Sequence, residues 1–419
     1  MNTSACGIDF GTSNSTAAIH DGPLARLLPL EDGKPTLPSA VFFNLDEDSM
    51  AVGRAALAEY LEGFEGRLMR SMKSLLGSGL MDAGTDVGGR HLAFRDLIGG
   101  FIGEVKKRAE AAAQTRFEQV VVGRPVRFVD DDAEADKLAE DTLADIVRRA
   151  GFRDVSFQFE PIAAAHAFEQ TVERESLVLV VDIGGGTSDF SLVRLSPERR
   201  RHVDRSADLL GNTGVHIGGT DFDKRLSLAC VMPELGMGGL LASGAVLPNS
   251  TYFNLATWHT IHLAYRRDVL PGLQDMARDV VDGCRFERLL RVLRERSGHH
   301  LAIRSEAAKI ALSDTPRVDL DLDVAEVGLH VPVSRAAFED AIAAEIARVG
   351  DAALACVAQA GLAPSAVDTL FFTGGSSGVP ALRQALAARF PDAQPVEGDL
   401  YGSVGCGLAV VARQRYGSA

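Results

Sequence analysis

Two stretches of this chain, about 170 residues apart, are built on one plan. Gly7–Ile19 reads GIDFGTSNSTAAI and Val180–Val193 reads VVDIGGGTSDFSLV. Each runs as an apolar strand into an aspartate, Asp9 or Asp182, then one more apolar residue. A glycine and hydroxyl-rich turn follows, and apolar sequence resumes as a second strand. Such an echo calls for two similar lobes, each offering a turn to a common cleft. Glycine at a strand end admits positive φ and lets successive N–H groups point at one anion, and Thr and Ser hydroxyls add donors. An aspartate there repels phosphate but suits a hydrated Mg²⁺. The pair of turns therefore reads as a phosphate-and-magnesium device. For either copy alone, a Gly-rich hairpin with solvated aspartates fits as well.

Composition narrows the class. A chain of 419 residues exceeds one ordinary core, so two or more folding units are expected. The net charge of -14 argues against a nucleic-acid partner, which would need Lys and Arg patches. The N-terminal residues MNTSACGIDF carry neither a basic nor an apolar leader pattern, and no apolar run is long enough to span a membrane. Five scattered cysteines without a C-x-x-C pair suit a reducing, cytoplasmic compartment.

Strand-like and helical runs alternate, the α/β signature. Strands are expected at Gly7–Phe10, Ala40–Phe43, Gln119–Gly123, Leu177–Ile183 and Thr369–Thr373. Helices are expected at Phe101–Gln114, Asp131–Ala150, Phe222–Ala229, Ser305–Leu312, Arg335–Ala360 and Pro380–Phe390. The Gly-rich stretch Met232–Val246 reads as a surface loop or insertion.

Two further turns fit the plan. HIGGTDFDKRL places Gly218 and Gly219 before a helix, and LFFTGGSSGVPAL places Gly374, Gly375 and Ser376 after a strand. Each alone also reads as a capped helix. Glu306, Lys309 and Ser313 recur at steps of three and four and share a helical face, which in isolation is a solvated one. Other chemistries fail on spacing. A P-loop ending at Gly33-Lys34 would need glycine where Leu28 stands. GGSSG has the nucleophile-elbow form, but the last histidine, His330, precedes Ser376, so the triad order is impossible. His259, His262, His299 and His300 have no further ligand cluster to complete a zinc site.

Taken in order, these motifs resemble the ATPase domain of the DnaK-type heat-shock chaperones, within the actin, sugar-kinase and heat-shock ATPase superfamily. GIDFGTSNS is similar to the family's first phosphate loop, MKSLLG to its lysine segment, FEPIAAAHAF to its connecting element and VVDIGGGTSDFSLV to its second phosphate loop. EAAKIALS and FFTGGSSGVP are similar to the two adenosine elements, and GSVGCGLAV to the closing helix. The resemblance implies a two-lobed actin-like fold of duplicated ribonuclease H-like domains around a nucleotide cleft. It implies ATP or ADP with Mg²⁺ as ligands, Asp9, Asp182 and Asp189 organising the metal. It implies Lys73, Glu160, Asp182 and Thr187 as the catalytic set. Gly11, Thr12, Ser13, Asn14, Gly184, Gly185 and Gly186 would take phosphates. Gly218, Gly219, Glu306, Lys309, Ser313, Gly374, Gly375, Ser376 and Asp399 would line the rest of the nucleotide site.

Two features depart from the family pattern. Ile310 and Gly378 stand where the family clamps adenine between arginines. The sequence also stops after LAVVARQRYGSA, without a peptide-binding domain, which resembles the short YegD-like chaperones that share NLATWH at Asn254–His259. The expected organisation is lobe I over residues 1–174 with 393–419 returning to it, and lobe II over 175–392 with a helical subdomain about 230–334. The expected function is slow, Mg-dependent ATP hydrolysis coupled to lobe closure in a chaperone-like protein. A non-hydrolysing nucleotide sensor or scaffold and a small-molecule kinase are the alternatives. A client protein or co-chaperone is the expected macromolecular partner; the sequence leaves its identity and the oligomeric state open.

Overall fold

A computed structural model describes residues 5–76, 81, 83–129, 132–202, 204–399 and 402–417. The chain forms two compact units. One comprises the residues up to Gly214, Ala352–Ser377 and those from Ala387 on; the other comprises Val215–Asp351 and Gly378–Leu386.

The first unit holds two sheets of the same design. In one, β1 (Ala5–Phe10) pairs antiparallel with β2 (Asn14–Ile19) and parallel with β3 (Gln119–Arg124), which pairs parallel with β4 (Asp154–Phe159). In the other, β5 (Ser176–Ile183) pairs antiparallel with β6 (Ser188–Leu195) and parallel with β8 (Thr369–Thr373), which pairs parallel with β9 (Gln394–Glu397). Strand β7 (Leu209–Val215) extends that sheet beyond β6. The echo in the sequence is thus a repeat of topology. Asp9 stands opposite Thr16 and Asp182 opposite Asp189 at equivalent ends of the two hairpins.

Period-two alternation sends each strand's apolar residues to both faces, as expected of strands covered on both sides. Cys6, Ile8, Phe10, Val120 and Val122 face a core with Phe101 and Ile102 of α1 (Phe94–Ala113) and Leu143 and Ile146 of α2 (Ala133–Arg149). The side chain of Asp132 caps α2 by accepting from the N–H groups of Glu134 and Ala135. Ala5 and Val121 face the other way. They meet α3 (Glu160–Glu169) and α7 (Ser403–Tyr416) in a core shared with Val178, Val180 and Val193 of the second sheet. Helix α7 lies at backbone distance from its neighbours. A Cβ on Gly407 would stand 1.9 Å from the Ala163 carbonyl oxygen, and one on Gly7 would stand 2.5 Å from the Ala409 nitrogen.

The second unit contains α4 (Gly219–Leu226), α5 (Gly298–Asp314) and a hairpin of Arg317–Asp321 with His330–Ser334. Helix α6 (Arg335–Gln359) begins in this unit. The Gly-rich stretch after Met232 becomes a short helical turn, Met232–Leu235, and bridges joining Leu240 to Val246 and Leu241 to Val280. Trp258 packs edge-on against His299, with ring centroids 4.8 Å apart. Three helices start earlier than periodicity suggests: α1 at Phe94 rather than Phe101, α4 at Gly219 rather than Phe222, and α5 at Gly298 rather than Ser305. The Asp131 end of the helix expected over Asp131–Ala150 lies outside the described residues. Among the described residues no helix is long and apolar enough to cross a membrane.

Candidate active site

The hairpin ends of the first unit hold the residues for which the sequence predicts chemistry. After Asp182 the chain turns through Gly184–Gly186, closed by the Gly184 N–H donating to the Thr187 carbonyl at 2.9 Å. The Thr187 hydroxyl donates to Asp189 Oδ2 at 2.7 Å. The turn Gly11–Ser13 after β1 touches this one, since a Cβ on Gly185 would stand 2.1 Å from Ser13 Oγ. The third turn arrives from β8, with Gly374 at φ 79°, in the left-handed region that favours glycine. A Cβ there would stand 2.3 Å from Asp182 Oδ1. Turns from three distant parts of the sequence therefore meet around Asp182.

Lys73 comes from the short helical turn Met72–Leu75, anchored by the fully buried Met72. Its Nζ donates to Glu160 Oε1 at 2.5 Å, and the two side chains are only 12 and 15 % exposed. Glu160 opens α3, with Pro161 behind it in the first turn, where a missing N–H costs nothing. Burial opposes the ammonium, but Glu160, Asp9 and Asp182 outweigh it and hold the Lys73 pKa above its ordinary value.

The carboxylates carry the opposite imbalance. Burial, with Glu160 adding repulsion and Lys73 only partly relieving it, raises Asp9 to about 7. Burial, then Asp189, Glu160 and Asp9, raises Asp182 to about 8. Lys73 faces three carboxylates, Glu160, Asp9 and Asp182, and Asp189 adds its charge beside Asp182, so carboxylates outnumber the lysine here. The centre's donors are hard oxygens, the set that suits Mg²⁺. Among the described residues no three acidic, histidine or cysteine side chains cluster closely enough to ligate a metal directly.

Ser39 escaped the sequence reading. Its hydroxyl donates to the Gly11 carbonyl at 2.7 Å, and its N–H donates to the Ser13 carbonyl at 2.9 Å, so it clamps the first turn. Ser39 stands directly before the expected strand Ala40–Phe43, and a hydroxyl at that strand's start is the available signal.

The remaining sequence-selected residues are dispersed over both units. Ser376 is buried beside the Gly374 turn, which Ser377 closes by donating to the Gly374 carbonyl. Asp399 is exposed, and its carbonyl accepts from both the N–H and the hydroxyl of Ser403 at the start of α7. In the second unit, Gly218 and Gly219 open α4. Lys309 is buried there and donates to Asp223 Oδ2 at 3.0 Å and the Gly219 carbonyl at 3.2 Å. Glu306 is exposed, and Ser313 is half-buried with its hydroxyl donating back to the Lys309 carbonyl at 3.5 Å. The three residues expected on one face thus differ: Lys309 is tied to α4, while Glu306 faces solvent.

A doubled strand–turn–strand core with paired aspartates at its hairpin ends has the mixed α/β, actin-like ATPase architecture. The Hsp70 protein family matches residues 81–232 and 293–413, more than half of the chain, and the chain belongs to that family. It is 28 % identical over 411 residues to a protein of Azotobacter vinelandii described as "Chaperone protein HscA homolog", covering 94 % of this chain and 54 % of that one. The chain therefore spans about half the length of the curated relative it matches. Glu160 and Asp182–Asp189 fall within the family match, whereas Asp9 and Lys73 precede it.

Proposed function

We propose that the protein binds ATP and ADP with Mg²⁺ and hydrolyses ATP slowly, as a chaperone-like member of its family that couples turnover to lobe closure. The observation that carries this reading is the Lys73–Glu160 pair, set among Asp9, Asp182 and Asp189 at the ends of a repeated hairpin. Phosphoryl transfer asks for positioning and charge compensation more than for covalent chemistry. The N–H groups of Gly184–Gly186 and of Thr12 and Ser13, with the Thr187 hydroxyl, would hold the β- and γ-phosphates. Lys73, kept protonated by its neighbours, brings positive charge to the transferred group. Glu160 orients the attacking water. Asp9 and Asp182, with Asp189 nearby, would hold Mg²⁺ through its waters, and the ion would supply the positive charge that the site lacks. By the family resemblance, Gly218, Gly219, Glu306, Lys309 and Ser313 would serve the nucleoside.

We assign lobe I to residues 1–174 and 393–419 and lobe II to 175–392, each lobe centred on one copy of the repeat, with β9 completing the second sheet from the returning segment. The kinship with an HscA homologue supports a client protein or co-chaperone as partner. Kinship to the short YegD-like chaperones rests on the Asn254–His259 stretch. Incubation with ATP and Mg²⁺, with no other substrate added, tests the reading. Phosphate release supports an ATPase, tight binding without release would make the protein a sensor, and release only with an added acceptor would make it a kinase.

A further inference from the structure

Glu160 and Lys73 are 87 positions apart in sequence, so something must hold the carboxylate where the lysine arrives. The adjoining end of β3 is built for this. Gly123 lies directly under the Glu160 side chain: a Cβ there would stand 3.1 Å from Glu160 Cγ, 3.3 Å from its Oε1 and 3.2 Å from Leu408 Cδ1. The missing methyl is the space in which the carboxylate rests. Gly123 is not in the positive-φ region, so any cost of a side chain there is steric and falls on Glu160 and Leu408.

The next residue fixes the backbone that carries Glu160. Arg124 is 12 % exposed at its side chain and spends its donors on one corner of the fold. Its Nε donates to the Pro125 carbonyl at 3.0 Å. Its Nη2 donates to the Val126 carbonyl at 3.2 Å and to Asp136 Oδ2 at 2.8 Å, and its Nη1 donates to Glu140. The guanidinium also faces the rings of Phe128 and Phe159, 5.2 and 5.3 Å from their centroids. Phe159 is the residue immediately before Glu160 and the register partner of Arg124. Its N–H donates to the side-chain oxygen of Gln158, itself the partner of Gly123.

We propose that Gly123 and Arg124 are the positioning residues of the Lys73–Glu160 pair. Arg124 sets the backbone from which Glu160 projects, and Gly123 leaves room for its carboxylate. The inference rests on Glu160 orienting the water in ATP hydrolysis, but its geometric content can be measured without turnover.

Gly123→Ala is the decisive variant, because alanine is conformationally acceptable in this strand. A displacement of a few tenths of an ångström should lower kcat about 10-fold, with KM for ATP and affinity for ADP unchanged. In parallel, competition labelling of amines with an acylating reagent, read by mass spectrometry, should show Lys73 several-fold more reactive in Gly123→Ala. Glu160→Gln sets the scale for a lysine that has lost its partner. Arg124→Lys, which keeps the charge but loses the planar fork, should move both readouts the same way. Wild-type labelling of Lys73 in Gly123→Ala would overturn the proposal, as would a lowered melting temperature with labelling and kcat intact, which would assign the pair to packing. If the wild-type protein releases no phosphate, the hydrolytic reading fails, and the labelling arm still decides the positioning claim.

Discussion

Under the proposed function, Lys73 is the side chain that separates binding from turnover. Because it is assigned to the transferring phosphoryl group, Lys73→Ala should lose on the order of 10²-fold or more in hydrolysis while keeping ADP affinity. Single-turnover rates beside calorimetric titration check this, and near-normal turnover would return Lys73 to a structural role. The acidic partners make a separate prediction. A carboxyl whose pKa rises on folding binds its proton more tightly in the native chain. The stability contributed by Asp9 and Asp182 is therefore whole below the ordinary value of 3.8 and is lost as pH rises through about 7 and 8. Metal-free protein should melt at lower temperature as pH climbs across that window, and Asp182→Asn should flatten the profile. Melting curves identical for wild type and variant would show that the two carboxyls are not driven up by burial and mutual repulsion.

Helix α3 links this centre to the acid side of the profile. His166, on the same helix as Glu160, is buried, and burial, then Arg205, His20 and Arg200, push its pKa down to about 4. A depressed histidine contributes stability that is whole above 6.5 and is lost as pH falls towards 4, the opposite sense to the two aspartates. His166→Gln should make the melting temperature less sensitive to acid in that window. The partner helix α7 tests packing. Its glycines belong to GSVGCGLAV, the stretch similar to the family's closing helix, and Gly407 sits where a methyl would meet the Ala163 carbonyl at 1.9 Å. Gly407→Ala should therefore cost about 1–3 kcal/mol or more in denaturant unfolding, although alanine is the better helix former.

At the scale of the molecule, the repeated sheets were legible because buried strands write themselves as apolar runs: Val120–Val122 and Val178–Val181 needed no further cue. Helix starts were less legible. Gly99 and Gly100 look like breakers before Phe101, yet Leu97 and Ile98 are buried in the core and draw α1 back to Phe94. Pairings across long separations, Lys73 with Glu160 and Lys309 with Asp223, leave no periodic trace; family resemblance singled out Lys73 and Glu160 but not their pairing. The proposed adenine site is tested at Ile310 and Gly378. Ile310 is 53 % exposed on α5, where a stacking guanidinium would otherwise stand. Losing two stacked arginines weakens affinity by about one to two orders of magnitude, so ATP and GTP should be poorly discriminated. Ile310→Arg with Gly378→Arg should tighten ATP more than GTP in titrations, and strongly ATP-selective wild-type binding would overturn that assignment. The pairing of β5 with β8 has a last consequence, for the order of events at the ribosome. Strand β5 ends at Ile183 and its parallel neighbour begins at Thr369, so the growing chain carries an apolar, half-finished sheet while the intervening residues are made. At about 5–20 residues per second that interval lasts roughly 10–40 s, long enough for a bare strand edge to meet other nascent chains before its own partner emerges.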